Sequence, residues 1–429
     1  MKANVNIDVE HVTRVEGHGN IKVTVKDGAV EDVRFEIVEA PRFFEAMLVG
    51  RDFCEAAPIT SRICGICSIG HTLTSIKATE DAFGIEPSLQ TRKLRFLLND
   101  GEFIQSHTLH AYFLAAPDFL GAKSVFPLAS SHREVVLRAL KLKRLANDLC
   151  DLFGGRTIHP ITPEVGGFSS LPKKAAVREM LDRLKDVEKD IDATVDTFAS
   201  LGIPSFERET EYVSLKAKDH YALNEGEVYS SVTGVIPYRE YRKLTNERIV
   251  DYSTAKHCKH VKDSYMVGAM ARVNNNYDSL LPKAKSAAKA LRLKLPCHNP
   301  FMITACQVVE IVHCWEDAVR LIGEFLTNGL VEEPVAVKVK PGTGIGAFEV
   351  PRGLLFHEYT YDDKGRITAA NCIIPTGQNL VNIENDMREL VPKIVDRPHD
   401  EIQLMLEMLV RAYDPCISCS THMVKVEFK

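Results

Sequence analysis

No stretch of this chain approaches the ~18 consecutive apolar residues that a membrane-spanning helix needs. The opening segment Met1–Asp8 lacks the apolar run of a secretory signal, so the expected location is the cytoplasm, with any membrane contact made through a partner. An excess of positive charge is lacking too: 53 Lys and Arg stand against 58 Asp and Glu, a formal net charge of −5. That leaves no electrostatic footprint for nucleic acid. The basic run Lys141–Arg144 falls inside a helical pattern and reads as a solvated face. The Gly-rich stretch Pro341–Gly346 falls short of the G-x-G-x-x-G fingerprint and has no helix opening after it, so a plain turn is expected there and no nucleotide site. Repeats and low-complexity linkers are absent as well.

What is present is a 429-residue chain with 45% hydrophobic and 26% charged residues, enough for a sizeable core. Residues 1–40 alternate in the manner of strands (Val5, Ile7, Val9; Ile21, Val23, Val25; Val33, Phe35, Ile37), with turns at Gly17–Gly19 and Asp27–Gly28, and read as a β-meander. A helical period then runs through 41–200, with helices expected at 43–51, 63–83, 89–114, 130–153 and 173–200, broken at Pro127 and in the Gly- and Pro-rich stretch 154–172. Residues 205–245 read as irregular β structure. Within 259–328 helices are expected at 259–292 and 304–328, and 334–380 reads as a β segment. Residues 381–422 hold a last helix, interrupted at Pro392 and Pro398, and a terminal cysteine motif. The expected class is mainly α with β additions (α+β), a long-helix core in one interdigitated domain spanning 1–429.

Eleven cysteines without a signal segment fit a reducing compartment, as metal ligands or small buried hydrophobes rather than disulfides. Cys54, Cys150, Cys258, Cys297, Cys306, Cys314 and Cys372 show no paired spacing and read as core. The other four form two Cys-x-x-Cys pairs, Cys64/Cys67 and Cys416/Cys419, near opposite ends of the chain. Four thiolates at one point make a site for a soft metal. A structural zinc is the plain alternative, but zinc ribbons place their pairs roughly 15–20 residues apart, whereas most of the chain lies between Cys67 and Cys416. A thioredoxin-like redox pair needs a local βαβ setting that neither pair has.

The flanking residues carry more. Cys64-Gly-Ile-Cys67-Ser-Ile-Gly-His71 and Asp414-Pro-Cys416-Ile-Ser-Cys419-Ser-Thr-His422 together resemble the two signature segments of the large subunit of nickel–iron hydrogenases. Arg14-Val-Glu16-Gly-His18, Pro41-Arg42-Phe-Phe-Glu45, Gly50-Arg51-Asp52, His107-Thr-Leu-His110 with Asp118, Val350-Pro351-Arg352-Gly353 and Ile374-Pro375-Thr376 are similar to further family segments, in the same order. The resemblance implies that fold, reversible heterolytic cleavage of H2, and a Ni–Fe(CN)2(CO) centre. In it Cys64 and Cys416 are terminal nickel ligands, while Cys67 and Cys419 bridge nickel and iron. It implies that Cys416 or Arg352 receives or steers the proton. An arginine stays protonated at any ordinary pH, so hydrogen bonding to a cyanide suits Arg352 better than a role as base. Pro375 and Thr376 would lie beside the iron, with Thr376 donating to the other cyanide, and Asp118 and Asp414 would flank Arg352.

By the same resemblance Glu16 is the gate through which protons leave; a carboxyl group relays a proton near neutrality when burial raises its proton affinity. His71, one helical turn beyond Cys67, would hydrogen-bond near a bridging sulfur, against the plainer reading of a satisfied core histidine. Glu45 and His422, with a backbone carbonyl near Cys372, would hold Mg2+ or a similar divalent ion. No further Cys arrangement for iron–sulfur clusters is present, so electrons would leave through a small subunit carrying [4Fe–4S] clusters. The wording around Phe43–Glu45 and the second pair looks most like the cytoplasmic bidirectional NAD(P)-linked group, which implies flavin- and NAD(P)-binding diaphorase-type subunits. A nickel chaperone and a protease that cuts after His422, making 423–429 a cleavable tail, are implied as well. Alternatives are a relative serving a non-pyridine acceptor such as heterodisulfide reductase, an H2-sensing homologue, and the quinone-site subunit of respiratory NADH:quinone oxidoreductase, which shares the ancestry but lacks the paired cysteines.

Overall fold

Alternating apolar residues near the N-terminus fold as the pattern demands. Strands Val5–Val9, Gly19–Lys26 and Ala29–Ile37 form an antiparallel meander, with Ile21 opposite Phe35 and Val23 opposite Val33. Its inward residues Ile7, Val9, Ile21, Val23, Val33, Phe35 and Ile37 are buried, which is the period-2 consequence of one face meeting a core. The computed structural model describes residues 4–334 and 336–422, so the tail expected at 423–429 lies outside the described residues.

Long helices build the centre: Ser68–Phe83, Leu89–Thr108, Arg133–Gly154, Ile303–Asn328 and Pro375–Ile394. Leu89–Thr108 is capped by Ser88, whose hydroxyl accepts from the Thr91 N–H at 3.0 Å, satisfying one of the open donors of a first turn. It packs between Arg133–Gly154 and Ile303–Asn328 and runs on through a π-helical stretch, Leu109–Ala115. One apolar cluster reaches from Ile7 to Cys419 and a smaller one gathers around Val213, Tyr241 and Phe356. This mixed architecture of joined long helices and small, mostly antiparallel sheets is the expected class.

Several expected elements differ in detail. The stretch 173–200 is two helices, Lys174–Asp186 and Glu188–Ala199, parted at Val187. The helix expected over 259–292 begins late: Tyr265–Met266 is a strand, and the helices within that range are Ala269–Asn276 and Pro282–Ala290. Pro392 sits inside the helix Pro375–Ile394, and Pro398 opens His399–Ala412. Helices Phe53–Thr60 and Val125–Ser131 were not expected. The turn expected at Pro341–Gly346 is instead the start of strand Gly342–Val350, which pairs along its whole length with Gly353–Tyr361. The reason is packing. A Cβ on Gly344 would lie 2.1 Å from the Ala78 carbonyl oxygen, and one on Gly346 2.3 Å from that of Thr74. The glycines let this strand lie directly on the backbone of Ser68–Phe83. Cys54 is exposed, against the expectation of a core position, while the other six unpaired-spacing cysteines are buried.

Candidate metal centre

The two cysteine pairs meet. The sulfurs of Cys64, Cys67, Cys416 and Cys419 all lie within 4.8 Å of one another, and all four residues are buried. Cys64 ends a short turn, Ser61–Ile63, and Cys67 stands at the N-terminus of Ser68–Phe83. Cys416 precedes one short turn of helix, Ile417–Ser420, and Cys419 lies within it.

Local pairing explains why the ends converge. Glu16 pairs in parallel with Cys416, and Arg42 with His422. The Ile417 N–H donates to the Glu16 carbonyl at 2.9 Å, and the Arg42 N–H to that of Thr421 at 2.7 Å. The Arg42 guanidinium then bonds the Ile63 carbonyl (2.7 Å) and the Ser418 carbonyl, stapling the first cysteine segment to the last. Gly17 is forced by the same approach: its φ is +87° and a Cβ there would lie 2.7 Å from Cβ of Ile417.

The donor set fits a soft metal. Cys64 Sγ accepts N–H bonds from Ile66 (3.3 Å) and Cys67 (3.1 Å) and lies 3.6 Å from Cys416 Sγ. Burial opposes its ionisation, but hydrogen bonding from Cys67 and the Arg352 charge outweigh burial and bring the thiol down to about 7. The Cys67 thiol is pushed up, first by its hydrogen bond to Cys64 and then by burial. Cys416 and Cys419 lie one helical turn apart, with their Cα atoms at 5.5 Å and their sulfurs side by side. As thiolates they bring two more soft ligands to the same point.

Arg352, buried, follows strand Gly342–Val350 and stands beside this cluster. Its Nε donates to the Asp414 carbonyl and its Nη2 to Asp414 Oδ1, both at 2.8 Å, and Nη1 is buried with no partner. Burial works against its charge, yet Asp414 and the two cysteine sulfurs dominate and hold it protonated. Asp414 thus bonds Arg352, whereas the Asp118 carboxylate accepts from Arg411 (2.7 and 2.9 Å) and from Arg14. Arg411 stands closer because His399–Ala412 runs past the π-helical stretch that precedes Asp118.

The Thr376 hydroxyl accepts the Cys416 N–H at 2.9 Å, which leaves its own hydrogen free to donate. Pro375, buried, opens the helix that carries it. Half-buried Glu16 accepts the Ser418 N–H at 3.1 Å. His71 is buried, but its Nδ1 pairs with His357 Nε2 at 3.1 Å, and His357 Nδ1 with the Tyr359 hydroxyl at 2.7 Å. Burial pushes the His71 ring well below its ordinary range, so it is neutral. Glu45 Oε1 lies 3.1 Å from His422 Nδ1, while Glu45 Oε2 and His422 Nε2 are buried and unpartnered. The helix Phe44–Leu48 that bears Glu45 packs on strand Ile367–Ile373, which bears Cys372. A carboxylate oxygen and a ring nitrogen without partners are atoms of the type that ligates a divalent cation.

Sequence reasoning missed Glu102. Fully buried, it accepts the N–H groups of Ile69 (2.7 Å) and Gly70 (3.0 and 3.2 Å), closing the helix start immediately after Cys67. A carboxylate in the middle of an apolar helical period, three residues before Gln105, was its only signal.

Comparison with known proteins agrees with this geometry. Residues 42–135 and 216–422 match the nickel-dependent hydrogenase family, and residues 6–40 a HoxL-like family. The chain is 36% identical over 422 residues to the sulfhydrogenase 1 alpha subunit of Pyrococcus furiosus, covering 98% of each chain. It is 31% identical over 462 residues to an F420-non-reducing hydrogenase subunit of Methanothermobacter marburgensis, covering 99% of this chain and 96% of the other. Its fold superposes on a crystal structure of an NAD+-reducing [NiFe]-hydrogenase in the H2-reduced state with a TM-score of 0.87 at 27% identity, covering 98% of this chain and 100% of that one. With four buried sulfurs drawn from both ends of the chain into one cluster, and with these relatives matching along nearly its whole length, the chain belongs to the nickel-dependent hydrogenase family as a large-subunit member, an oxidoreductase acting on H2.

Proposed function

We propose that the chain is the catalytic large subunit of a cytoplasmic [NiFe] hydrogenase that interconverts H2 with two protons and two electrons. The single observation that carries this is the convergence of the Cys64, Cys67, Cys416 and Cys419 sulfurs. These four residues would hold a Ni–Fe(CN)2(CO) centre, which when bound supplies the two-electron chemistry of H2 cleavage. The remaining work falls to the chain. The Cys416 thiolate is the proton acceptor beside the cleaved bond. Arg352, kept protonated by Asp414, acts by charge and hydrogen bonding, with its unpartnered Nη1 available to a bound group. Thr376 fixes the Cys416 backbone and has an O–H to give. Glu16, tied to the Cys416 segment by backbone pairing, takes the proton outward. Glu45, His422 and a carbonyl near Cys372 would hold Mg2+ or a similar ion.

Electrons leave through a small subunit carrying [4Fe–4S] clusters, and from it to NAD(P) through diaphorase-type subunits. Support for the last step is the likeness to an NAD+-reducing enzyme and to the beta subunit of the NAD-reducing hydrogenase of Cupriavidus necator, 27% identical over 470 residues. The chains of higher identity are named as sulfhydrogenase and F420-non-reducing hydrogenase, with no pyridine nucleotide in either name, and a non-pyridine acceptor is therefore kept as a second reading. Co-purification decides: a flavin- and NAD(P)-binding partner supports the first reading, and its replacement by a heterodisulfide-reductase-type partner overturns it. The family-type maturation, a nickel chaperone and cleavage after His422, is tested by intact mass of active protein; the full 429-residue mass refutes cleavage. The core claim is tested on purified protein by nickel and iron content and by infrared bands of iron-bound CO and CN. Zinc alone, with no such bands and no H2-dependent dye reduction, would overturn it.

A further inference from the structure

Arg272 lies on the helix Ala269–Asn276 with no exposed surface. Every N–H of its guanidinium has an acceptor. Nε and Nη2 clasp the two oxygens of Glu310 at 2.6 and 2.8 Å, and Nη1 bonds Glu349 Oε2 at 2.8 Å. The two hydrogens left over go to backbone carbonyls: Nη1 to Val350 (3.0 Å) and Nη2 to Pro351 (2.8 Å). Those are the two residues immediately before Arg352. The loop is also pressed against the start of this helix, where a Cβ on Gly268 would lie 3.0 Å from the Arg352 carbonyl oxygen. Glu310 in turn accepts from Tyr221 (2.7 Å) and pairs with His107 Nε2 (2.8 Å), so the clamp is anchored in the long helix Ile303–Asn328.

A buried ion cluster is a poor way to gain stability, because desolvation offsets most of the attraction. A planar five-donor fork, by contrast, fixes geometry that a point charge cannot. We propose that Arg272 is a positioning residue for the hydrogenase reaction: it sets where the Arg352 guanidinium stands over the four-sulfur cluster by gripping the Val350 and Pro351 carbonyls. This rests on the reading that Arg352 takes part in H2 turnover. Burial pushes Glu349 up to about 7 despite Arg272. The carbonyl grips do not depend on that charge.

The test is a double-mutant cycle on metal-loaded enzyme purified with its partner subunits: Arg272→Lys, Arg352→Lys and both together. Lysine keeps the charge but not the fork. Arg272→Lys is expected to lower kcat about tenfold or more with nickel and iron content unchanged. Because one residue acts through the other, the double variant should be no slower than Arg352→Lys within about twofold. Infrared bands of the iron's diatomic ligands should shift in Arg272→Lys in the direction seen in Arg352→Lys. Losses that multiply, unshifted bands, or wild-type kcat in Arg272→Lys overturn the proposal. Wild-type turnover in Arg352→Lys removes the underlying reading and the proposal with it. If Arg272→Lys gives no metal-loaded protein, Glu349→Gln, which leaves one acceptor oxygen for two donors, Arg272 Nη1 and the Leu215 N–H, and so loosens the fork, is read in the same cycle against the same outcomes.

Discussion

Gly70→Ala probes how tightly the Cys67 helix is keyed to the Arg352 loop. Gly70 is the third residue of Ser68–Phe83, and a Cβ there would fall 2.2 Å from Val350 Cγ1 and 2.9 Å from Glu102 Oε1. Val350 is 1% exposed, so it has no open side to move into. Forcing a methyl into such a contact costs about 1–3 kcal/mol. The gain in helix propensity from Gly to Ala is at most about 1 kcal/mol and smaller in a first turn. Net destabilisation of about 1–2 kcal/mol follows, and turnover should fall with it, because relief displaces either the Cys67 end of the helix or the strand end that leads to Arg352. Val350→Ala removes the obstructing methyl group. Combined with Gly70→Ala, it should recover turnover and show a coupling energy of about 1–2 kcal/mol in favour of the pair. Guanidinium unfolding midpoints of the four proteins, with nickel content and dye-linked H2 oxidation measured alongside, supply the cycle. Greater stability in Gly70→Ala alone, or a double variant whose losses simply add, would refute the steric argument.

Cys416→Ser should abolish H2-dependent dye reduction; wild-type activity in that variant removes Cys416 from the mechanism. Thr376→Val leaves the buried Cys416 N–H without its acceptor and should cost about 1–3 kcal/mol in denaturant unfolding, with no measurable change counting against the assignment. Glu384, buried beneath the meander, is raised to about 7, by burial above all, although the Phe35 N–H and Tyr252 hydroxyl work the other way. Between roughly pH 4.3 and 7 the unfolded chain ionises this group while the folded chain keeps it protonated, so its ionisation erodes stability as pH rises through that window and no further above it. Glu384→Gln should therefore match wild type near pH 4 and exceed it by up to about 3 kcal/mol at pH 8. A stability difference that is flat with pH contradicts this.

Much of the site was legible because its chemistry is written in spacing. Two Cys-x-x-Cys pairs with an Asp-Pro before one and histidines after both are informative before any fold is known. The meander was legible from the alternation of Ile21, Val23 and Val33, Phe35, since one buried sheet face enforces period 2. Contacts between residues far apart in the chain left weaker traces. Asp118 looked like a neighbour of Arg352, but its choice of Arg411 and Arg14 depends on how two distant helices cross. Gly344 and Gly346 carry the composition of a turn and the position of a strand, because glycine there serves close packing rather than backbone freedom. His357 as partner of His71, and Glu102 as the cap behind Cys67, are tertiary facts with no local signature.

The strand-like bridges that tie Glu16 to Cys416 and Arg42 to His422 carry a consequence for biosynthesis. A ribosome delivers the first cysteine pair long before the second. Until that second pair has emerged and docked, the nascent polypeptide presents half a chelate, two of the four sulfurs of this site. The four-sulfur cluster can therefore close only after the second pair has docked, an order imposed by topology alone.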